Sequence, residues 1–133
     1  MKVNELMIGD WVVYNGDVDY INPIKIEGMD FATGMCITTD RDDVGFDGVW
    51  PIPLTAEILE KNGFIEFMPH NWQIVINNIM IELREPEHNM AIWLDWDEHD
   101  TGTYASYMFP RPNCVHELQH ALRLCNIDKE IEL

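Results

Sequence analysis

The sequence predicts an α+β fold: a β-rich N-terminal lobe, a short helix, an antiparallel sheet and a C-terminal helix packed on that sheet. Short runs of β-branched and aromatic residues recur along the chain, separated by Gly, Asn and Asp. Only two segments combine helix-capping residues with helical spacing of apolar residues. These two observations together favour an α+β fold.

The N-terminal lobe is predicted to cover residues 1–53. Its strand-like runs are Trp11–Tyr14, Ile21–Met29 and Met35–Thr39, and Asn15-Gly16 is a favoured turn dipeptide. A lobe built of such strands can curl into a small barrel. The densest Gly and Pro punctuation comes just before Leu54, so we place the second part at residues 54–133. We expect the two parts to form one compact unit.

The first helix is predicted from its two ends. Thr55 can cap a helix over Ala56–Asn62 by accepting a backbone N–H in the first turn. Gly63 supplies the left-handed residue after the helix, and Phe64 can then pack on Leu59.

Two hairpins are predicted to share one antiparallel sheet in the second part. Its expected strands are Ile65–Met68, Trp72–Ile76, Ile79–Leu83, Met90–Trp96 and Thr103–Phe109. Asn77-Asn78 fits a two-residue turn, because Asn tolerates positive φ. Asn113 can cap a closing helix over Cys114–Cys125, and one face of this helix is continuously apolar. We expect that face to cover the sheet.

Charge and composition limit the function classes. The 133 residues carry 24 acidic and 8 basic side chains, a net charge of −16, which disfavours direct binding to nucleic acid and to anionic membranes. No apolar run approaches the roughly 20 residues of a membrane span, and the first residues lack the apolar core of a signal peptide. Cys36, Cys114 and Cys125 form no CxxC pair and are expected to be free thiols. We therefore expect a cytoplasmic location.

The string His116-Glu117-Leu118-Gln119-His120 matches HExxH, in which two His bind zinc and the Glu polarises its water. On a helix, however, His116 and His120 fall opposite the apolar face, so both should be solvated. No residue has the spacing of a third ligand. We therefore expect no catalytic, metal or cofactor site. The alternative is a zinc-dependent hydrolase that uses His116 and His120 as ligands and Glu117 as general base.

Five tryptophans are many for this length, and tryptophan is enriched at protein interfaces. Strand alternation places Trp93 and Trp96 on opposite faces of the sheet. One of them is therefore a candidate for an interaction surface with a host or phage protein, or for a homodimer contact.

Three segments carry a resemblance to a known family: 4–12 (Asn-Glu-Leu, then Ile-Gly-Asp-Trp-Val), 51–64 (Pro-Ile-Pro-Leu-Thr through Asn-Gly-Phe) and 115–119 (Val-His-Glu-Leu-Gln). In these the chain resembles a family of small uncharacterised proteins of gut Bacteroidetes and their phages or mobile elements. Similar proteins often carry Asn at the position of His120, which implies that HExxH is accidental here. The resemblance implies a phage-related accessory protein and no catalytic residues. With the charge and the tryptophans, it favours a non-enzymatic protein-interaction role, of which an acidic mimic of nucleic acid is one version.

Overall fold

A computed structural model describes residues 6–41, 44–85, 87–94 and 106–133. The strands are β1 Trp11–Tyr14, β2 Ile24–Asp30, β3 Met35–Thr38, β4 Val44–Gly45, β5 Val49–Pro51, β6 Ile65–Met68, β7 Asn71–Ile76, β8 Ile79–Arg84, β9 Asn89–Trp93 and β10 Ser106–Pro110; the helices are α1 Ala56–Lys61 and α2 Val115–Leu124. The fold is α+β, with two antiparallel five-stranded sheets. Neither helix in these ranges is long and apolar enough to cross a membrane.

The chain divides into two compact units. The first consists of Met1–Pro53 and Asn113–Glu130, and the second of Leu54–Pro112 and Ile131–Leu133. The first segment of the first unit ends at Pro53, and α2 belongs to this unit.

The first sheet has the order β4-β3-β2-β1-β5. Its core contains Leu6, Val12, Ile24, Ile26, Cys36, Val44, Phe46 and Val49. Strands β4 and β5 are only two and three residues long and are joined by a 3₁₀ turn, Phe46–Gly48, which explains why no strand pattern marked them. Over the described residues they stand at opposite edges of an open sheet, so the curl into a small barrel was wrong.

Helix α2 packs against β1 and belongs to the first unit, whereas the sequence suggested the second-half sheet as its support. Its start is fixed to the chain near β5, because the Val115 N–H donates to the Ile52 carbonyl at 2.9 Å and Cys114 forms an isolated bridge with Pro53. Val115, Leu118 and Leu122 are fully buried, as the apolar face predicted. An apolar face indicates that a helix packs on a core but does not specify which sheet supplies that core.

The second sheet has the order β10-β9-β8-β7-β6, so both predicted hairpins lie in one sheet. Asn77 and Asn78 connect β7 to β8 with φ of 50° and 64°, the two positive angles of a type I′ turn. The central strand β8 and its neighbour β9 bury residues on both faces, whereas every described side chain of the edge strands β6 and β10 is exposed.

Helix α1 has the predicted ends. The Thr55 hydroxyl accepts the Ile58 N–H at 3.3 Å. Gly63 has φ of 90°, and the Phe64 N–H donates to the Leu59 carbonyl at 3.0 Å, which is the bond of a Schellman ending. Leu59 and Phe64 are both buried, so the ending also contributes to the core of the second unit.

Candidate functional site

A group of polar side chains lies beside α2 in the first unit, and we call it the α2 polar cluster. Its members are the buried Asp10, Cys114 and His116, the partly exposed His120, and the exposed Glu117 and Arg123. Asp10 is 0% exposed and His116 is 3% exposed. Buried ionisable groups are costly unless they are paired, so each of these groups is expected to have a partner.

Asp10 is the anion of the cluster and lies immediately before β1. Its carboxylate accepts the Met7 N–H at 2.7 Å, and the His120 Nε2 lies 2.8 and 3.0 Å from its two oxygens. The Arg123 guanidinium is 3.6 Å from the same carboxylate. Because a backbone N–H and an imidazole bond to Asp10 and a guanidinium forms an ion pair with it, a fully buried carboxylate can be kept in the core.

Gly9 makes this arrangement possible. Its φ of 94° is in the left-handed region that Gly adopts without strain, and its N–H donates to the Ile26 carbonyl at 2.7 Å. A Cβ at this position would lie 3.1 Å from an Arg123 guanidinium nitrogen. The absent side chain therefore leaves room for the guanidinium to reach Asp10.

Cys114, His116 and Glu117 form the second half of the cluster, at the first turn of α2. The Cys114 Sγ is 3.3 Å from the His116 Nδ1, and the thiol, imidazole and carboxylate atoms all lie within 4.8 Å of one another. Glu117 also accepts the Asn113 N–H at 2.8 Å. The predicted cap Asn113 therefore precedes the helix by one residue more than expected, and Cys114 occupies the N-cap position.

Burial raises the pKa of the Cys114 thiol to about 12, and the carboxylates of Glu117 and Asp10 add to this rise. At neutral pH the sulfur therefore keeps its proton. A nucleophilic cysteine needs the opposite shift, because the thiolate is the reactive species. The Cys114–His116 pair is thus poorly suited to covalent catalysis, whereas a thiol, an imidazole and a carboxylate are all metal ligands.

The two histidines of the HExxH string lie within the α2 polar cluster, so the expectation that both are solvated was wrong. His116 is buried, His120 is only partly exposed, and their ring centroids are 5.5 Å apart, edge to face. The apolar face described one side of α2 correctly, but on the other side His116 is buried and His120 contacts the buried Asp10, while Glu117 stays exposed. His120 is held by Asp10, so the ligand atoms that gather are those of His116, Glu117 and Cys114.

A cavity of about 310 Å³ adjoins the Cys114 end of the cluster. Cys114 and Glu117 form part of its wall, and the other lining residues are Tyr20, Trp50, Pro51, Pro53 and Asn113. Its walls are therefore largely apolar and aromatic, with a thiol and a carboxylate at one point. Small-molecule sites commonly combine apolar walls with a few polar groups in this way.

Trp93, the interaction candidate, lies in β9 and is half-buried. The Arg84 guanidinium lies 5.3 Å from its ring centroid. The second candidate, Trp96, lies outside the described residues.

Sequence reasoning missed Asp10 and Cys114. A signal for Asp10 was an acid placed between Gly9 and the apolar run that forms β1, where a solvated side chain is unusual. For Cys114, the signal was a thiol two residues before a His and three before a Glu.

A comparison with known protein families, curated proteins and solved structures finds no match. What the α2 polar cluster, the adjoining cavity and the region around Trp93 do must therefore follow from their own geometry and charge.

Proposed function

We propose that the chain is a non-enzymatic interaction protein of phage or mobile-element type that binds an extended segment of a partner protein along strand β10. The observation that carries this proposal is the exposure of three consecutive large side chains on an edge strand. Tyr107 is 51% exposed, Met108 55% and Phe109 46%. An edge strand offers unpaired backbone groups, and apolar side chains on it supply specificity when a further strand is added.

The regularity of β10 favours it over the other edge of the same sheet. It pairs with β9 without a register shift, from Ser106 opposite Trp93 to Pro110 opposite Asn89. At the other edge, the register of β6 shifts between Glu66 and Met68, and a bulge and a charge both hinder strand addition.

The two faces of the sheet beside β10 differ in chemistry. Met108 shares a face with Trp93, and the Arg84 guanidinium lies between them, 3.9 Å from the Met108 sulfur. Tyr107 and Phe109 point to the opposite face, because neighbouring residues alternate along a strand. A bound segment would therefore contact a sulfur–aromatic–guanidinium surface on one side and two aromatic rings on the other.

The net charge of −16 favours a partner segment that carries positive charge. A segment that alternates apolar residues with Lys or Arg would be attracted, while a second copy of this chain would be repelled. The predicted cytoplasmic location and the family resemblance support the proposal that the chain is an accessory protein and that its partner is a host or phage protein.

Site-specific photo-crosslinking tests the proposal. A photo-crosslinking amino acid is placed at Met108 and, in a matched control, at Val75, which is 52% exposed but lies in β7 inside the sheet. We expect a crosslinked adduct with one partner protein from Met108 and none from Val75. An adduct of twice the chain mass would identify a homodimer instead and contradict the charge argument.

The partner identified in this way is then titrated against purified variants. Tyr107→Lys and Met108→Lys are expected to weaken binding at least about tenfold, because each places a charge in an apolar contact. Val75→Lys should leave Kd unchanged. Amide exchange of residues 107–109 should slow on binding if a strand is added. Strand addition at β10 is rejected if Tyr107→Lys, Met108→Lys and Val75→Lys weaken binding equally. It is also rejected if amide exchange of residues 107–109 does not slow on binding.

A further inference from the structure

Three different metal-ligating groups meet at the first turn of α2. The Cys114 Sγ, a His116 ring nitrogen and a Glu117 carboxylate oxygen lie within 4.8 Å of one another. We propose that these three side chains bind a zinc ion, in a site that differs from the HExxH arrangement by using Cys114 in place of His120.

The spacing of sulfur and nitrogen already suits zinc. Zinc holds a thiolate at about 2.3 Å and an imidazole at about 2.0 Å in tetrahedral geometry, which places the two ligand atoms about 3.5 Å apart. The Cys114 Sγ and the His116 Nδ1 are 3.3 Å apart. A cation can therefore replace the contact between them without moving the helix.

The chemistry of the three donors selects the class of cation. Thiolate and imidazole ligands favour zinc and similar borderline-soft ions over Ca²⁺ or Mg²⁺, which prefer oxygen. With Cys114 as thiolate, His116 neutral and Glu117 ionised, the ligands carry two negative charges, which a divalent ion neutralises. Binding transfers one proton from the Cys114 thiol to solvent as the metal–sulfur bond forms.

The surroundings hold the ligands in place. Backbone bonds from Val115 to Ile52 and the bridge from Cys114 to Pro53 fix the start of the helix. One Glu117 oxygen accepts the Asn113 N–H, so the other can face an ion. The His120 ring, held by Asp10, packs edge-on against the His116 ring. Partners of this kind orient metal ligands in known sites.

The fourth position of a tetrahedral ion would face the cavity of about 310 Å³, because Cys114 and Glu117 are part of its lining. Three protein ligands with one open position are typical of zinc sites that bind water or an exchangeable ligand. Trp50 and Tyr20 would form an aromatic wall around a small molecule bound there.

Metal stoichiometry and cobalt spectra test the site. The whole chain is loaded with zinc, passed through a weak chelator and analysed by mass spectrometry, and Co²⁺ is titrated separately. We expect about one zinc per chain and a thiolate-to-cobalt charge-transfer absorption. Cys114→Ser and His116→Gln should each lower zinc affinity at least about tenfold, and Cys114→Ser should abolish the absorption. Circular dichroism of each variant reports whether the fold is intact.

Two control variants distinguish this site from its rivals. Cys125→Ser removes a half-buried thiol just after the C-terminal end of α2 and should leave zinc binding unchanged. His120→Gln should retain the stoichiometry and the cobalt absorption, whereas the HExxH arrangement requires their loss or weakening. The proposal is overturned if the wild-type chain retains no zinc, if the cobalt complex lacks thiolate absorption, or if His120→Gln loses the ion while Cys114→Ser keeps it.

Discussion

The two helices end alike but begin differently. At the end of α1, Gly63 has a positive φ and the Phe64 N–H bonds to the Leu59 carbonyl; at the end of α2, Asn126 has φ of 58° and the Ile127 N–H bonds to the Leu122 carbonyl at 2.9 Å. At its start, α1 has a side-chain cap from Thr55, whereas Cys114 makes no side-chain cap bond for α2. Neighbouring residues therefore determine both the start and the end of α1, but only the end of α2.

The buried polar groups of the two helices also differ in where along the chain their bonding partners lie. The buried amide of Asn62, at the end of α1, bonds to the Ile58 carbonyl one turn away and to the backbone of Glu132. On α2, His120 and Arg123 instead meet the carboxylate of Asp10, which comes 110 residues earlier than His120. Helix α1 carries no ionisable group buried in this way, which distinguishes it from the helix that carries the candidate site.

The largest expected effect comes from removing Asp10. Asp10→Ala leaves the Met7 N–H, His120 and Arg123 without their acceptor, and we expect it to lower the free energy of unfolding by about 2–4 kcal/mol. Thr55→Ala, which removes only the local cap of α1, should cost about 1 kcal/mol. Urea denaturation measures both.

An exposed acid serves as the control for this pair. Asp19→Ala should change stability by no more than about 0.5 kcal/mol, because the side chain is exposed. If Asp10→Ala costs no more than Thr55→Ala, α2 is not held by its long-range polar contacts, and the difference between the helices is not energetic.

A smaller effect concerns alkaline pH. The pKa of the folded Cys114 thiol is about 12, well above that of an unfolded cysteine, so the folded chain retains a proton that the unfolded chain loses. The contribution to stability is complete below about pH 8.5 and falls as pH rises toward 12. Zinc-free Cys114→Ser should therefore lose stability less steeply than the wild-type chain between pH 8 and about 10.

Cys125 provides the comparison for this prediction. Burial also raises the pKa of Cys125, but by less, so Cys125→Ser should flatten the pH profile less than Cys114→Ser. Thr55→Ala, at the start of α1, should leave the slope unchanged because it removes no titrating group. Parallel profiles for the wild-type chain and Cys114→Ser would contradict the burial of the thiol.

Features fixed by neighbouring residues could be predicted from the sequence. The ends of α1, the Asn77-Asn78 turn and the strand β6 follow from capping, positive-φ tolerance and local patterning. The antiparallel pairing of β7 with β8 follows from the same short turn.

Features that depend on distant contacts could not be predicted. The apolar face of α2 required some core but did not identify β1 as its partner. His120 looked solvated because nothing near it in the sequence supplies the Asp10 carboxylate that it contacts in the fold. The HExxH match could be seen in the sequence because it depends only on residue spacing within one helix. The fold instead brings Cys114 together with His116 and Glu117, and His120 contacts Asp10.

The smallest effects test whether the two helix ends are equivalent. Gly63→Ala places a Cβ at a φ of 90°, and since that atom would be an ordinary 3.6 Å from the Ile74 side chain, strain alone should set the cost, about 1 kcal/mol. Asn126→Ala should cost about the same at φ of 58°, while Asn126→Gly should change stability by about 0.3 kcal/mol or less, because both residues tolerate this conformation. Thermal unfolding of the three variants gives the comparison. A cost for Asn126→Gly as large as that for Asn126→Ala would mean that the Asn126 side chain itself holds the end of α2, and the ends would then differ as much as the starts do.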